Sequence, residues 1–205
     1  MELPLKRITP LYVKEMALRN LRYSDESILR KKAKEVKEID NKVWQLLDDM
    51  KETLEDIGGL GLAAPQIGVL KRVAIILYDG EEEETEEADE TEERETQLFE
   101  LINPVIVEQT GVQKIEEACL SITDKKGVVE RPAFVRVKAL NRHGEEFEIT
   151  GEGLLARALC HELDHLDGVL FIDKAVELYD KNASPSNDDG AERVVKTARK
   201  GKRRR

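Results

Sequence analysis

The residues best suited to chemistry lie in "LCHELDHLDG" (159–168), where two histidines stand four apart and a glutamate follows the first. Positions four apart on a helix sit one above the other on the same face. His161 and His165 can therefore offer two imidazoles to one ion, with Glu162 beside them. In this H-E-x-x-H arrangement the glutamate acts on a water held at the metal. The competing interpretation is a solvated helix face that carries two histidines by chance. A catalytic site of the zinc type needs three protein ligands and one open position. The chain has only three histidines, and His143 falls in the turn "NRHG", where solvent is its expected surrounding. The third ligand is then a carboxylate or a cysteine. Cys160 adjoins His161 and points about a quarter-turn off the histidine face, which suits a packed thiol. Cys119, in "IEEACLSI", lies on a separate segment and could approach the helix from another direction. Cys-His-His with water would result.

Several elements must hold these groups in place. "GEGLLARALCHELDHLDG" (151–168) reads as the motif-bearing helix, with Gly168 suited to its end. Residues 41–57 carry Val43, Leu46, Leu47, Met50, Leu54 and Ile57 at helical spacing, and Gly58-Gly59 follow as a stop. "GLGLAAPQIG" (59–68) is too rich in glycine for a helix and reads as a loop or irregular edge strand. "RVAIILY" (72–78) and "LFELINPVIVE" (98–108) read as strands, and 134–149 as a hairpin turning at Asn141 to Gly144. No internal repeat is present.

The charge is unevenly spread. The chain of 205 residues carries −10, yet "DGEEEETEEADETEERET" (79–96) alone has twelve acids and one arginine, so the remainder is close to neutral. Such a run cannot bury enough apolar surface to offset ordering entropy, so 79–97 is expected to be a disordered insertion between two strands. The first fifteen residues read as an N-terminal extension and 16–178 as one domain. From about Tyr179 a polar linker leads into "AERVVKTARKGKRRR" (191–205), with eight basic residues and one acid. No stretch reads as a signal peptide or membrane span, and two cysteines fit a reducing cytoplasmic setting.

Three separated stretches, "GLGLAAPQIG", "EACLS" and "HELDH", occur in the order of the three motifs of the bacterial peptide deformylases, which the chain resembles over about 16–178 outside the acidic run. The resemblance implies an α+β fold of mixed or antiparallel sheets packed around a central HExxH helix. It implies a metal held by Cys119, His161 and His165, with Glu162 moving the proton. It also implies that Gln66 and the backbone N–H of Leu120 donate to the oxyanion. The family removes the formyl group from the formyl-methionine of new polypeptides. The resemblance points to one divalent ion per chain, Fe2+ foremost, with Ni2+, Co2+ or Zn2+ as alternatives. Gly59, Leu60, Gly61 and Ala118 would meet the substrate backbone or side chain, and Ile115 and Leu154 would help to form an apolar methionine pocket with the ring of His161. Glu117 and Arg131 would pair beside the metal-binding cysteine.

The chain departs from the family pattern at Ala118 (usually glycine), Cys160 (usually glutamine) and Thr123 (usually proline). None of these removes a ligand, the acid/base group or the oxyanion donor. Two rival readings fit the residues less well. An HExxH metallopeptidase would usually take a histidine or glutamate as third ligand and lacks the other two motifs. A non-catalytic ribosome-associated relative would have no use for Glu162 or Gln66. Expected partners are nascent formyl-methionyl chains and, through the basic tail, the ribosome, with no membrane.

Overall fold

The computed structural model describes residues 17–80 and 96–181. The N-terminal extension (1–15), nearly all of the acidic insertion and the basic tail lie outside these described residues.

Helix α1, Asn41–Ile57, starts where the Asp40 carboxylate accepts the N–H groups of Lys42 and Val43, and stops at Gly58, whose φ of 68° suits a residue without a side chain. Strands β1 (Gly61–Ala63), β2 (Val73–Tyr78) and β3 (Gln97–Thr110) follow. Next come β4 (Gln113–Cys119), β5 (Ile122–Arg131), β6 (Phe134–Leu140) and β7 (Glu146–Glu152). Helix α2, Gly153–Leu166, the short helix α3, Phe171–Lys174, and β8, Ala175–Asp180, complete the described chain.

Every pairing between these strands is antiparallel. The strands form a five-stranded sheet in the order β1-β2-β3-β6-β7 and a three-stranded sheet in the order β4-β5-β8. The result is an α+β fold of antiparallel sheets with few helices. Strand β2 explains how the larger sheet is covered. Side chains alternate across a strand, so Ala74 and Ile76 join the core beneath α2 while Val73 and Ile75 join the core beneath α1. The continuous apolar run "VAIIL" suits a strand buried on both faces. The hairpin β6–β7 turns at Asn141–Gly144, where the Asn141 side chain accepts the N–H groups of His143 and Glu145. His143 is exposed.

Two differences from the sequence reading stand out. The three-stranded sheet is an addition, because β4 and β5 are rich in charged residues and β5 pairs on its far side with a strand some fifty positions on. Tyr179 and Asp180, read as the start of a polar linker, instead end β8, paired with Lys126 and Lys125. Their polarity reflects the exposed outer side of that sheet.

Candidate active site

Helix α2 is docked against β1, β2 and β7, which aims its histidine face at the end of β4. Cys119 is the last residue of β4. One ligand atom each from Cys119, His161 and His165 lies within 4.8 Å of the others, the one such grouping of three or more potential ligands found among the described residues. Cys119 Sγ is 3.2 Å from His165 Nε2. His161 Nδ1 donates to Glu117 Oε2 at 2.9 Å, which leaves its Nε2 for an ion. Phe171 of α3 stacks on the His161 ring, with centroids 6.2 Å apart. Both cysteines are buried, but Cys160 packs in the core between α2 and the larger sheet, where burial pushes its thiol up to about 11.

Electrostatics favour a cation at this point. Burial resists protonation of His161, but Cys119 and Glu117 outweigh it and raise the pKa to about 10 in the metal-free protein. An incoming ion therefore competes with a proton there. Burial and the neighbouring His161 hold His165 well below the usual histidine value, as a neutral ligand. Burial pushes Glu162 up to about 7. Its Oε2 is buried without a protein partner, as a group that works on a bound reactant would be. A thiolate, two neutral imidazoles and an adjacent unpaired carboxylate fit a divalent ion with one open position.

A chain of charges braces His161 from behind. Arg131 donates to both Glu117 oxygens, at 2.7 and 2.9 Å, and through Nη1 to Asp164 at 2.5 Å. Asp164 in turn accepts from Lys174 at 2.7 Å. Burial disfavours ionised Glu117, yet Arg131 and His161 prevail and hold it near 2. The pairing of Glu117 with Arg131 follows the sequence reading; the extension through Asp164 to Lys174 is new. Asp164 is the residue before His165, and its side chain leaves the helix on a different face.

Gln66 sits in a short 3-10 turn, Ala64–Ile67, with 1% of its surface exposed. Its Oε1 accepts the Ala63 N–H at 2.7 Å, which turns Nε2 toward Cys119 Sγ (3.7 Å) and Ser121 Oγ (3.3 Å). The amide is thus a fixed donor at the ligand cluster. Gly61 serves a further purpose: a Cβ there would come within 2.6 Å of Glu162 Oε1, so the absent side chain is what seats the carboxylate.

These groups open onto a cleft of about 330 Å³ lined by Gly59, Leu60, Gly61, Gln66, Ala118, Cys119, Leu120, His161 and Glu162, among others. Strand β1 is an edge of one sheet and β4 an edge of the other. Ile115 lies on the Glu117–Cys119 side of β4 and Leu154 on the His161 side of α2, each further along its element from the ligands than the residues above. Ala158 and the charged residues Glu116, Lys126, Arg157 and Lys181 also line the wall. Arg157 was legible as the residue one helical turn before His161; Ser121, Lys126 and Lys181 carried no such signal.

A cysteine–histidine ion site flanked by a buried carboxylate and a fixed amide donor defines a metal-dependent hydrolase. The polypeptide deformylase family model matches residues 18–181. The chain is 50% identical over 168 residues to the peptide deformylase of Acetivibrio thermocellus, covering 82% of this chain and 89% of that protein. It superposes on the crystal structure of a peptide deformylase from Legionella pneumophila with a TM-score of 0.66 and 42% identity, over 77% of this chain and 86% of the other. A Met-Ala-Ser-bound peptide deformylase from Acinetobacter baumannii gives a TM-score of 0.67 at 32% identity, over 78% of this chain and 99% of the other. The chain belongs to the polypeptide deformylase family. Among the described residues no helix is long and apolar enough to cross a membrane.

Proposed function

We propose that this cleft removes the N-terminal formyl group from formyl-methionyl polypeptides, with each role assigned as follows. Cys119, His161 and His165 would hold a divalent ion, Fe2+ by resemblance to the family, which when bound acidifies a water and polarises the formyl carbonyl. Glu162, buried and shifted toward neutrality, takes the water's proton and delivers it to the departing amine. Gln66 Nε2 and the Leu120 N–H donate to the oxygen on which negative charge develops. The substrate backbone lies between the free edges of β1 and β4, pairing with Gly59–Gly61 on one side and with the stretch around Ala118 on the other. Leu60, Ala158 and the His161 ring flank the methionine side chain. Glu117 and Arg131 hold His161 in orientation.

The observation that carries this reading is the convergence of Cys119 from β4 with His161 and His165 from α2 beside an unpartnered Glu162. Protein purified without oxygen and loaded with Fe2+ should release formate from formyl-Met-Ala-Ser, and chelated protein should not. Metal-independent release, or none from the loaded protein, would refute it.

The domain assignment places this reading on 16–178, with β8 carrying the chain on to Asp180, in a cytoplasmic protein, with the acidic insertion dispensable for chemistry. Residues 193–205 dock on the phosphate surface of the ribosome, where nascent chains emerge. Salt-dependent co-sedimentation with ribosomes that is lost on deleting 182–205 would support this; identical sedimentation of both forms would refute it.

A further inference from the structure

The metal end of the cleft is formed by buried, mutually compensated groups, but its outer wall is not compensated. Lys126, Arg157 and Lys181 all line it, and the acid beside them is Glu116. That carboxylate is already engaged: Lys126 Nζ donates to one oxygen at 2.8 Å and the Tyr179 hydroxyl donates to the other. The remaining cleft acids, Glu117 and Glu162, are buried, and Glu117 is taken by Arg131 and His161. Arg157 stands one helical turn before His161 on the same face of α2. Its single hydrogen bond among the described residues is from Nη1 to the main-chain oxygen of Glu116, at 2.9 Å. A guanidinium has five N–H donors, so most of this fork remains available to something in the cleft. Burial already lowers the pKa of Arg157, so its charge is partly desolvated and a counter-charge there would be less screened than on open surface. Lys181 is exposed, and no carboxylate lies within ion-pair distance of its ammonium among the described residues. Glu116 and Glu117 lie near Arg157, but among the described residues neither Arg157 nor Lys181 makes an ion pair, in a chain whose overall charge is −10.

We propose that Arg157 and Lys181, with Lys126 behind them, make the cleft selective for formyl-methionyl chains bearing acidic side chains at the second and third positions. This rests on the deformylase reading, since that reading places the residues after methionine at the outer end of the cleft. The contacts are made by side chains that do not take part in bond breaking and persist in ground and transition states alike. The preference therefore belongs in KM rather than kcat. It is electrostatic at a partly exposed rim, so salt should erode it.

The test compares kcat/KM for three C-terminally amidated peptides, formyl-Met-Glu-Asp, formyl-Met-Ala-Ser and formyl-Met-Lys-Lys, using the metal-loaded full chain. At low ionic strength the acidic peptide should exceed the basic one by roughly threefold to tenfold, converging toward equality at high salt. Arg157→Glu should invert the order. Lys181→Glu, at an exposed position that leaves folding intact, should shrink or invert the ratio on its own. Equal constants for the acidic and basic peptides at low salt, or ratios unmoved in both variants, would overturn the proposal. Loss of the deformylase reading would look different: formyl-Met-Ala-Ser amide itself would release no formate.

Discussion

The five-stranded and the three-stranded sheet are held to the molecule by different forces. The larger sheet is apolar on both faces along β2, with α1 packed on one and α2 on the other, while β6 and β7 turn Arg136, Lys138, Glu146 and Glu148 outward. The smaller rests on a limited cluster of Leu29, Ile122, Val129, Leu170 and Phe171, and leaves Glu116, Ala118 and Tyr179 to solvent. What fastens it to α2 is polar: Glu117 of β4 and Arg131 of β5 pair with each other and reach His161 and Asp164 of the helix. Cys119, at the end of β4, faces the two histidines across this seam. The active site is thus built where a well-buried body meets a lightly buried one, and a metal ion would join them. A ligand set drawn from both bodies couples metal binding to folding of the weaker one.

The largest expected effect falls on chemistry, at a residue that belongs wholly to the rigid body. Glu162→Ala should lower kcat by about 10²–10⁴-fold while the metal stays bound; near-normal formate release would remove Glu162 as the base. Next comes the seam itself. Cys119→Ser should strip or exchange the ion, whereas Cys160→Ser should keep metal content near wild type; equal loss in both would undo the ligand assignment. Removing the metal by chelation should also accelerate amide exchange in β4 and β5 far more than in β2 and β6. Uniform acceleration would show that the two sheets are not distinct in stability.

The polar brace should matter less than the ligands. Glu117→Lys or Arg131→Glu alone should weaken metal binding by roughly 10–100-fold, and the double reversal should recover part of it. Harmless single changes would mean that packing, not charge, holds the smaller sheet.

The sequence made the rigid body more legible than the light one, for physical reasons. Helix α1 announces itself by an apolar stripe between the Asp40 cap and Gly58, and β2 by an unbroken apolar run. The H-E-x-x-H spacing marked His161, His165 and Glu162 as candidates, because helical geometry alone stacks His161 over His165. A third candidate ligand, Cys119, had to come from elsewhere, which local pattern cannot fix. Strands β4, β5 and β8 carry "QKIEEAC", "ITDKKGVVER" and "AVELYD", whose charges, apart from the buried Glu117 and Arg131, belong to an exposed face and read equally well as loop. Ile115 and Leu154 lie on the Cys119 side of β4 and the His161 side of α2, but how far along those faces the cleft extends is a tertiary fact.

A smaller effect concerns the burial of Glu162. Its pKa is 4.5 as a free group and about 7 when folded without metal. Below pH 4.5 both states are protonated; between 4.5 and 7 the unfolded group ionises while the buried one keeps its proton, so stability falls by up to roughly 3 kcal/mol and levels off above 7. Glu162→Gln should therefore stabilise the metal-free protein at pH 8 and leave it nearly unchanged at pH 4. A stabilisation independent of pH would show that burial of charge is not its cause. The smallest effect is expected for the acidic insertion. Strands β2 and β3 stay paired up to Tyr78 and Gln97, so a short Gly/Ser turn in place of 80–96 should preserve melting temperature and peptide kinetics. A collapse in either would make that segment part of the fold.

The central claim, that one ion joins the two bodies through a sulfur from one and two imidazoles from the other, is open to direct spectroscopy. Cobalt-loaded protein should show a thiolate-to-cobalt charge-transfer band in the near ultraviolet, together with the visible bands of a four-coordinate ion. That band should persist in Cys160→Ser and vanish in Cys119→Ser, while His161 and His165 still hold cobalt weakly. A band that survives in Cys119→Ser, or that disappears in Cys160→Ser, would contradict the claim.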